Sequence, residues 1–123
     1  MNFIKIPDND SFIVQIESSE LLINDAQSAL DLFATIRYEA DSDRIIIHMN
    51  NISESFFDLK TGLAGAILQK IINYQFKIAV IGDFSVYSSK SLNDFIYETN
   101  KGNSIFFLTT VSEAVEKLST SKN

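Results

Sequence analysis

Three short stretches constrain this chain more than anything else in it: RIIIHM (44–49), FKIAVIGD (76–83) and SIFFLTT (104–110). Each is a continuous apolar run, too short for a buried helix and rich in β-branched and aromatic residues, so each reads as a buried strand. A strand wetted on one side alternates apolar and polar residues. Here Ile45 and Ile47 oppose Ile46, Ile78 and Val80 oppose Ala79 and Ile81, and Ile105 and Phe107 oppose Phe106 and Leu108. Both faces of the sheet must therefore be covered.

The segments between these runs carry helical spacing. Asn24 or Asp25 can cap a helix running to about Tyr38, with Ala26, Ala29, Leu30, Phe33 and Ile36 as its apolar stripe. In DLKTGLAGAILQKIINY (58–74), Leu63, Ile67, Ile71 and Tyr74 share one face. Its start has two readings. Phe56, Leu59 and Leu63 extend the stripe back to Ser53, or else Thr61 caps the helix and 53–60 is a loop with a single turn. Gly62 and Gly65 each cost about 1 kcal/mol against Ala inside a helix, and are read as permitting close helix–strand packing. Ser88 or Ser89 caps a third helix with Leu92, Phe95, Ile96 and Thr99 inward, stopped at Lys101-Gly102-Asn103. Thr110 and Glu113 have capping-box spacing for a last helix using Val111, Ala114, Val115 and Leu118, and STSKN (119–123) reads as a frayed tail.

Ahead of all this, FIKI (3–6) and FIVQIE (12–17) flank the turn residues Pro7-Asp8-Asn9-Asp10 and predict a β-hairpin. The order is β-β-α-β-α-β-α-β-α. Alternation with short connections predicts one α/β domain over 1–123, a mainly parallel mixed sheet with right-handed crossovers and an N-terminal hairpin.

Composition narrows the chemistry. With no cysteine among 123 residues there is no disulfide, thiol nucleophile or cysteine metal site, and a lone histidine, His48, excludes a histidine metal cluster within one chain. The expectation is no metal and no cofactor. A net charge of −6 with only two arginines, Arg37 and Arg44, offers no basic face for nucleic acid and disfavours anionic membranes. No run approaches the ~20 apolar residues of a membrane span. MNFIKIPDND lacks the apolar core of a signal peptide, so a cytoplasmic location is expected.

Residues about 20–118 resemble a small bacterial family catalogued as domain of unknown function 4180. The resemblance lies in FFDLKTGLAGAILQK (56–70) and IGDFSVYSSKSLNDFIYETNKGN (81–103), and in the spacing between them. More distantly, the order of elements and the Asp58…Thr61-Gly62-Leu63 run opening a helix look like the STAS domain of anti-sigma-factor antagonists. That likeness implies a three-layer or singly wound βα fold and a kinase-target hydroxyl before the glycine, here Thr61. The chain differs from the motif by one extra residue before Thr61 and by Leu59-Lys60 where STAS domains have a serine.

In open α/β sheets ligands sit outside the carboxyl ends of the strands. Those ends carry His48, Asn50, Asn51, Asp83, Ser85, Thr109 and Thr110, with Asp58, Lys60, Thr61 and Gly62 on the same rim. Helix N-termini there suit anions, while the ordinary reading of such residues is capping. Asp58 and Asp83 are spaced to pair for Mg²⁺ or acid–base work, or to cap loops. His48 acts as a base only if its imidazole reaches Asp83 or a serine. Ser85, Tyr87, Ser88, Ser89 and Lys90 form a polar loop with an aromatic anchor suited to docking a partner.

The leading functional expectation is a non-enzymatic STAS-like module acting through protein contacts. The alternatives are a small-molecule or anion binder at the rim, and then a hydrolase. If the helices wind on one face, the other needs cover. A homodimer closed through Phe3, Ile4, Phe12, Ile13, Phe106 or Leu108 is expected to provide it, against the alternative of a monomer with helices on both faces.

Overall fold

The computed structural model describes residues 1–120; the last three residues of the expected frayed tail lie outside the described residues. The strands are β1 (Asn2–Asp8), β2 (Ser11–Glu17), β3 (Arg44–His48), β4 (Lys77–Ile81) and β5 (Ile105–Leu108). The helices are α1 (Ala26–Ala40), α2 (Leu63–Asn73), α3 (Lys90–Asn100) and α4 (Val111–Thr120). All five strands form one sheet in the order β1-β2-β3-β4-β5, with β1 antiparallel to β2 and every later pair parallel.

Sequential order decides where the helices go. Right-handed crossovers that always step to the next strand in the same direction put every crossover helix on one face. The core divides accordingly. Val14, Ile45, Ile47, Ile78, Val80, Ile105 and Phe107 pack with α1, α2 and α3 residues such as Phe33, Ile67 and Leu92. The alternate residues Ile13, Ile46, Ala79 and Phe106 pack with Ala114 and Leu118 of α4. The chain is three layers: three helices, the sheet, and α4 alone on the far side.

This corrects the argument for a dimer. Most of the far face is covered, because α4 crosses onto it and Ile13 and Phe106 are fully buried within one chain, while Ile4 at the β1 edge of that face is exposed. Phe3, opposite Ile16, and Phe12, two residues before Val14 on the same strand, fall on the three-helix face and are half-buried.

Capping follows local chemistry. Asp25 and Ser28 form a capping box on α1, Ser89 Oγ accepts from Leu92 N at 3.1 Å on α3, and Thr110 and Glu113 exchange reciprocal bonds at 3.1 Å on α4. Two boundaries differ from expectation. β1 runs through Pro7 to Asp8, and the turn is Asn9-Asp10 with Asn9 at φ 57°; proline is tolerated because β1 is an edge. Of the two readings for α2, the short one is the nearer, with two corrections: the helix begins at Leu63 with Gly62, not Thr61, at its N-cap position, and two 3₁₀ turns, Glu54–Phe56 and Leu59–Thr61, stand where a single turn was expected. Gly62 at φ 78° breaks the helical path between them.

Two polar devices finish the body. Arg44 donates to Asp8 Oδ2 at 2.6 Å, to Ser11 Oγ at 2.5 Å and to the Leu118 carbonyl at 3.2 Å, tying hairpin, β3 and the end of α4 together. The Arg44 hydrogen bond holds the Asp8 carboxyl below its ordinary 3.8. At the other end of the sheet the Asn100 amide meets the free edge of β5, accepting from Phe107 N at 2.7 Å and donating to Phe107 O at 3.1 Å.

Candidate functional site

The rim at the carboxyl ends of β2–β5 is built from four connections. Asn51 locks the first two. It is buried, donates through Nδ2 to the Ser18 and Glu20 carbonyls at 2.8 Å each, and accepts Leu22 N and Ile23 N on its own carbonyl. A parallel bridge joins Ile23 to Ile52. The loops after β2 and β3 therefore move as one.

Most of the expected site residues turn out to hold the loops themselves. Thr61 Oγ1 shares its hydrogen between the Ser55 and Asp58 carbonyls at 2.6 and 2.9 Å, and accepts Leu63 N at 3.2 Å. Asp58 Oδ1 accepts Lys60 N at 3.3 Å. Asp83 Oδ1 accepts both Ser85 N at 3.0 Å and Ser85 Oγ at 2.5 Å, and these bonds hold its carboxyl below the ordinary value. His48 Nδ1 accepts Asn50 N at 3.1 Å, so it caps its own loop. Lys90 pairs with Asp94 at 2.7 Å. Ser88, Lys60 and Thr109 are exposed. Among the described residues no group of three potential His, Cys, Asp or Glu ligands converges on a metal position.

The glycines also need correction. A Cβ at Gly62 or Gly65 would meet nothing within 4 Å, so neither permits close helix–strand packing; Gly62 serves its left-handed φ. The close approach is at Gly82, where a Cβ would run into the Met49 side chain.

What joins the two candidate groups, 58–62 and 83–90, is aromatic. Phe57 stacks on Tyr87 with centroids 5.1 Å apart and planes 14° from parallel, and lies 6.0 Å from Phe84. Phe84 meets Phe107 edge-on at 5.4 Å, which anchors the cluster to β5. Phe57 is buried and Tyr87 half-buried above it, so the Tyr87 ring is a shelf fixed on the core. Burial, then the nearby Glu54 charge, pushes the Tyr87 phenol up. A 210 Å³ depression opens beside this ring between Leu21, Met49, Ile52 and Glu54. Leu21 and Val86 stand exposed near it.

The sequence pointed to Tyr87 but missed Phe57 and Glu54. The readable signal was the Phe56-Phe57 doublet in a loop rich in serine: two adjacent large rings outside any strand have to be buried, and here they meet edge-on at 5.0 Å and join the core. No helix of the described residues is long and apolar enough to cross a membrane. A family model described as "Domain of unknown function (DUF4180)" matches residues 8–118. No curated protein and no solved structure matches the chain.

Proposed function

The chain belongs to the DUF4180 family, and on that premise we propose that it is a non-enzymatic docking module that presents its strand C-terminal rim to another protein. The observation that carries this reading is the Phe57–Tyr87 stack, a rigid aromatic surface flanked by exposed Leu21 and Val86. Interfaces favour such anchors because a ring held in place loses little freedom on binding. The reading is also supported by how the rim's catalytic-looking groups are used. Asp58, Thr61, Asp83 and His48 each bind neighbouring backbone, and where a carboxylate does meet a hydroxyl, Asp83 with Ser85, the two lie two residues apart within one capping turn. A STAS-like regulatory role fits the same surface: a phosphate on Thr61 would displace its bonds to Ser55 and Asp58 and loosen the segment that carries Phe57.

A photo-crosslinking side chain placed at Val86 tests this in cells, with the same group at Tyr38, 90% exposed near the far end of α1, as control. The expected result is a discrete protein adduct from position 86 and none from 38. No adduct at 86, or the same adducts at both positions, would remove the docking reading.

A further inference from the structure

The rim depression has a chemistry of its own. Its walls are the aliphatic side chains of Leu21, Met49 and Ile52 and the Tyr87 ring, and its polar groups include Glu54. The Glu54 carboxylate and the Tyr87 hydroxyl make no hydrogen bond or ion pair among the described residues, unlike Asp58 and Asp83 a few residues away. Among the described residues Lys60 on the neighbouring loop makes no ion pair, and Lys90 is held by Asp94. The depression therefore combines a slot with aliphatic walls and a polar remainder that includes Asn50 and Ser53, an aromatic face backed by a second ring, and an unneutralised carboxylate. A long side chain ending in a positive charge fits all three: its methylenes lie along the slot, its cation meets the ring face and its charge meets Glu54. An anion, the occupant expected at this rim from helix N-termini, would face Glu54 directly.

Resting on the docking reading, we propose that the partner inserts a basic side chain, arginine or lysine, into the depression formed by Leu21, Met49, Ile52, Glu54 and Tyr87. The acidic balance of the chain favours the same partner chemistry at longer range.

The probe is a capped Gly-Arg-Gly tripeptide, compared with its Gly-Lys-Gly, neutral Gly-citrulline-Gly and acidic Gly-Glu-Gly counterparts. Binding is followed by amide chemical shifts in the full chain. The expected result is weak saturable binding of the basic peptides, with shifts centred on Leu21, Ile52, Glu54 and Tyr87. The citrulline and glutamate peptides should bind several-fold more weakly or not at all. Glu54→Gln should weaken the arginine peptide by about two- to fivefold, the range of an exposed ion pair, and Tyr87→Leu, which keeps apolar bulk but loses the ring face, by a similar factor. Both variants must retain the wild-type shift pattern away from the rim. Equal binding of arginine and citrulline peptides, shifts centred elsewhere, or no binding at all overturns the inference. If position 86 crosslinks a partner while the peptides fail this comparison, docking stands and the basic side chain does not; if crosslinking fails as well, the docking reading goes with it.

Discussion

At the scale of single residues, two glycines three positions apart have opposite reasons to exist. Gly62 sits at φ 78° in open space, so a methyl group there meets no atom and only the backbone objects. Gly62→Ala should destabilise by about 1–2 kcal/mol, the cost of a left-handed L-residue. Gly65 has the same open space, lies inside α2 and has no such φ, so Gly65→Ala should stabilise by up to about 1 kcal/mol. Urea titrations of the two variants check both signs. From sequence these glycines looked alike, because spacing on a helix does not reveal which of them lies at the helix boundary. The capping residues were legible at Asp25, Ser89 and Thr110, since a short polar side chain before an apolar-periodic run has one local use. Asn51 was not. Its work is to join two connections 31 and 33 residues apart in the chain, and no local pattern encodes that.

At the scale of elements, α4 is the part whose attachment can be tested by acid. Arg44 links Asp8 at the end of β1 to the Leu118 carbonyl near the end of α4. Asp8 titrates below 3.8 because of Arg44, Asp25 because of its Ser28 bonds, and Asp83 because of its Ser85 bonds. A carboxyl whose folded value is depressed stabilises the fold fully above its unfolded value and loses that contribution as pH falls through the folded one. Stability should therefore be flat near neutrality and fall as the pH drops below the ordinary carboxylate range of about 4. Asp8→Asn should be less stable at neutral pH and show a shallower acid decline, and amide exchange at the end of α4 should quicken. Thermal melts across that range and exchange at neutral pH are the measurements. The strands and helices themselves were largely readable, because continuous apolar runs and 3.6-residue spacing are strong signals. The two 3₁₀ turns before α2 were not, since Phe56, Leu59 and Leu63 face the core on a path that only imitates one helix.

For the whole molecule, the decisive feature is that one ten-residue helix, α4, covers the far face of the sheet over β3, β4 and β5. Leu118 and Ala114 are fully buried against Ile13, Ile46, Ala79 and Phe106. Leu118→Ala should cost about 2–5 kcal/mol, and a chain ending at Thr109 should expose that face and associate. The intact chain should scatter light as a species near 13.8 kDa whose mass does not rise with concentration; a dimer mass at low micromolar concentration would show that another surface pairs. The sequence indicated that both faces needed cover, but apolar runs do not say whether cover comes from the same chain. The contact of Asn100 with the outer edge of β5 bears on the same question from the side. A sheet grows by offering its last strand's N–H and C=O groups to a newcomer, and here a side-chain amide already occupies those of Phe107. At the opposite border, β1 contains Pro7, which has no N–H to give. A chain rich in strand-prone isoleucine and phenylalanine should thereby be kept from templating its neighbours into fibrils, and removing the Asn100 amide should be felt first as a shortened shelf life rather than a lowered melting point.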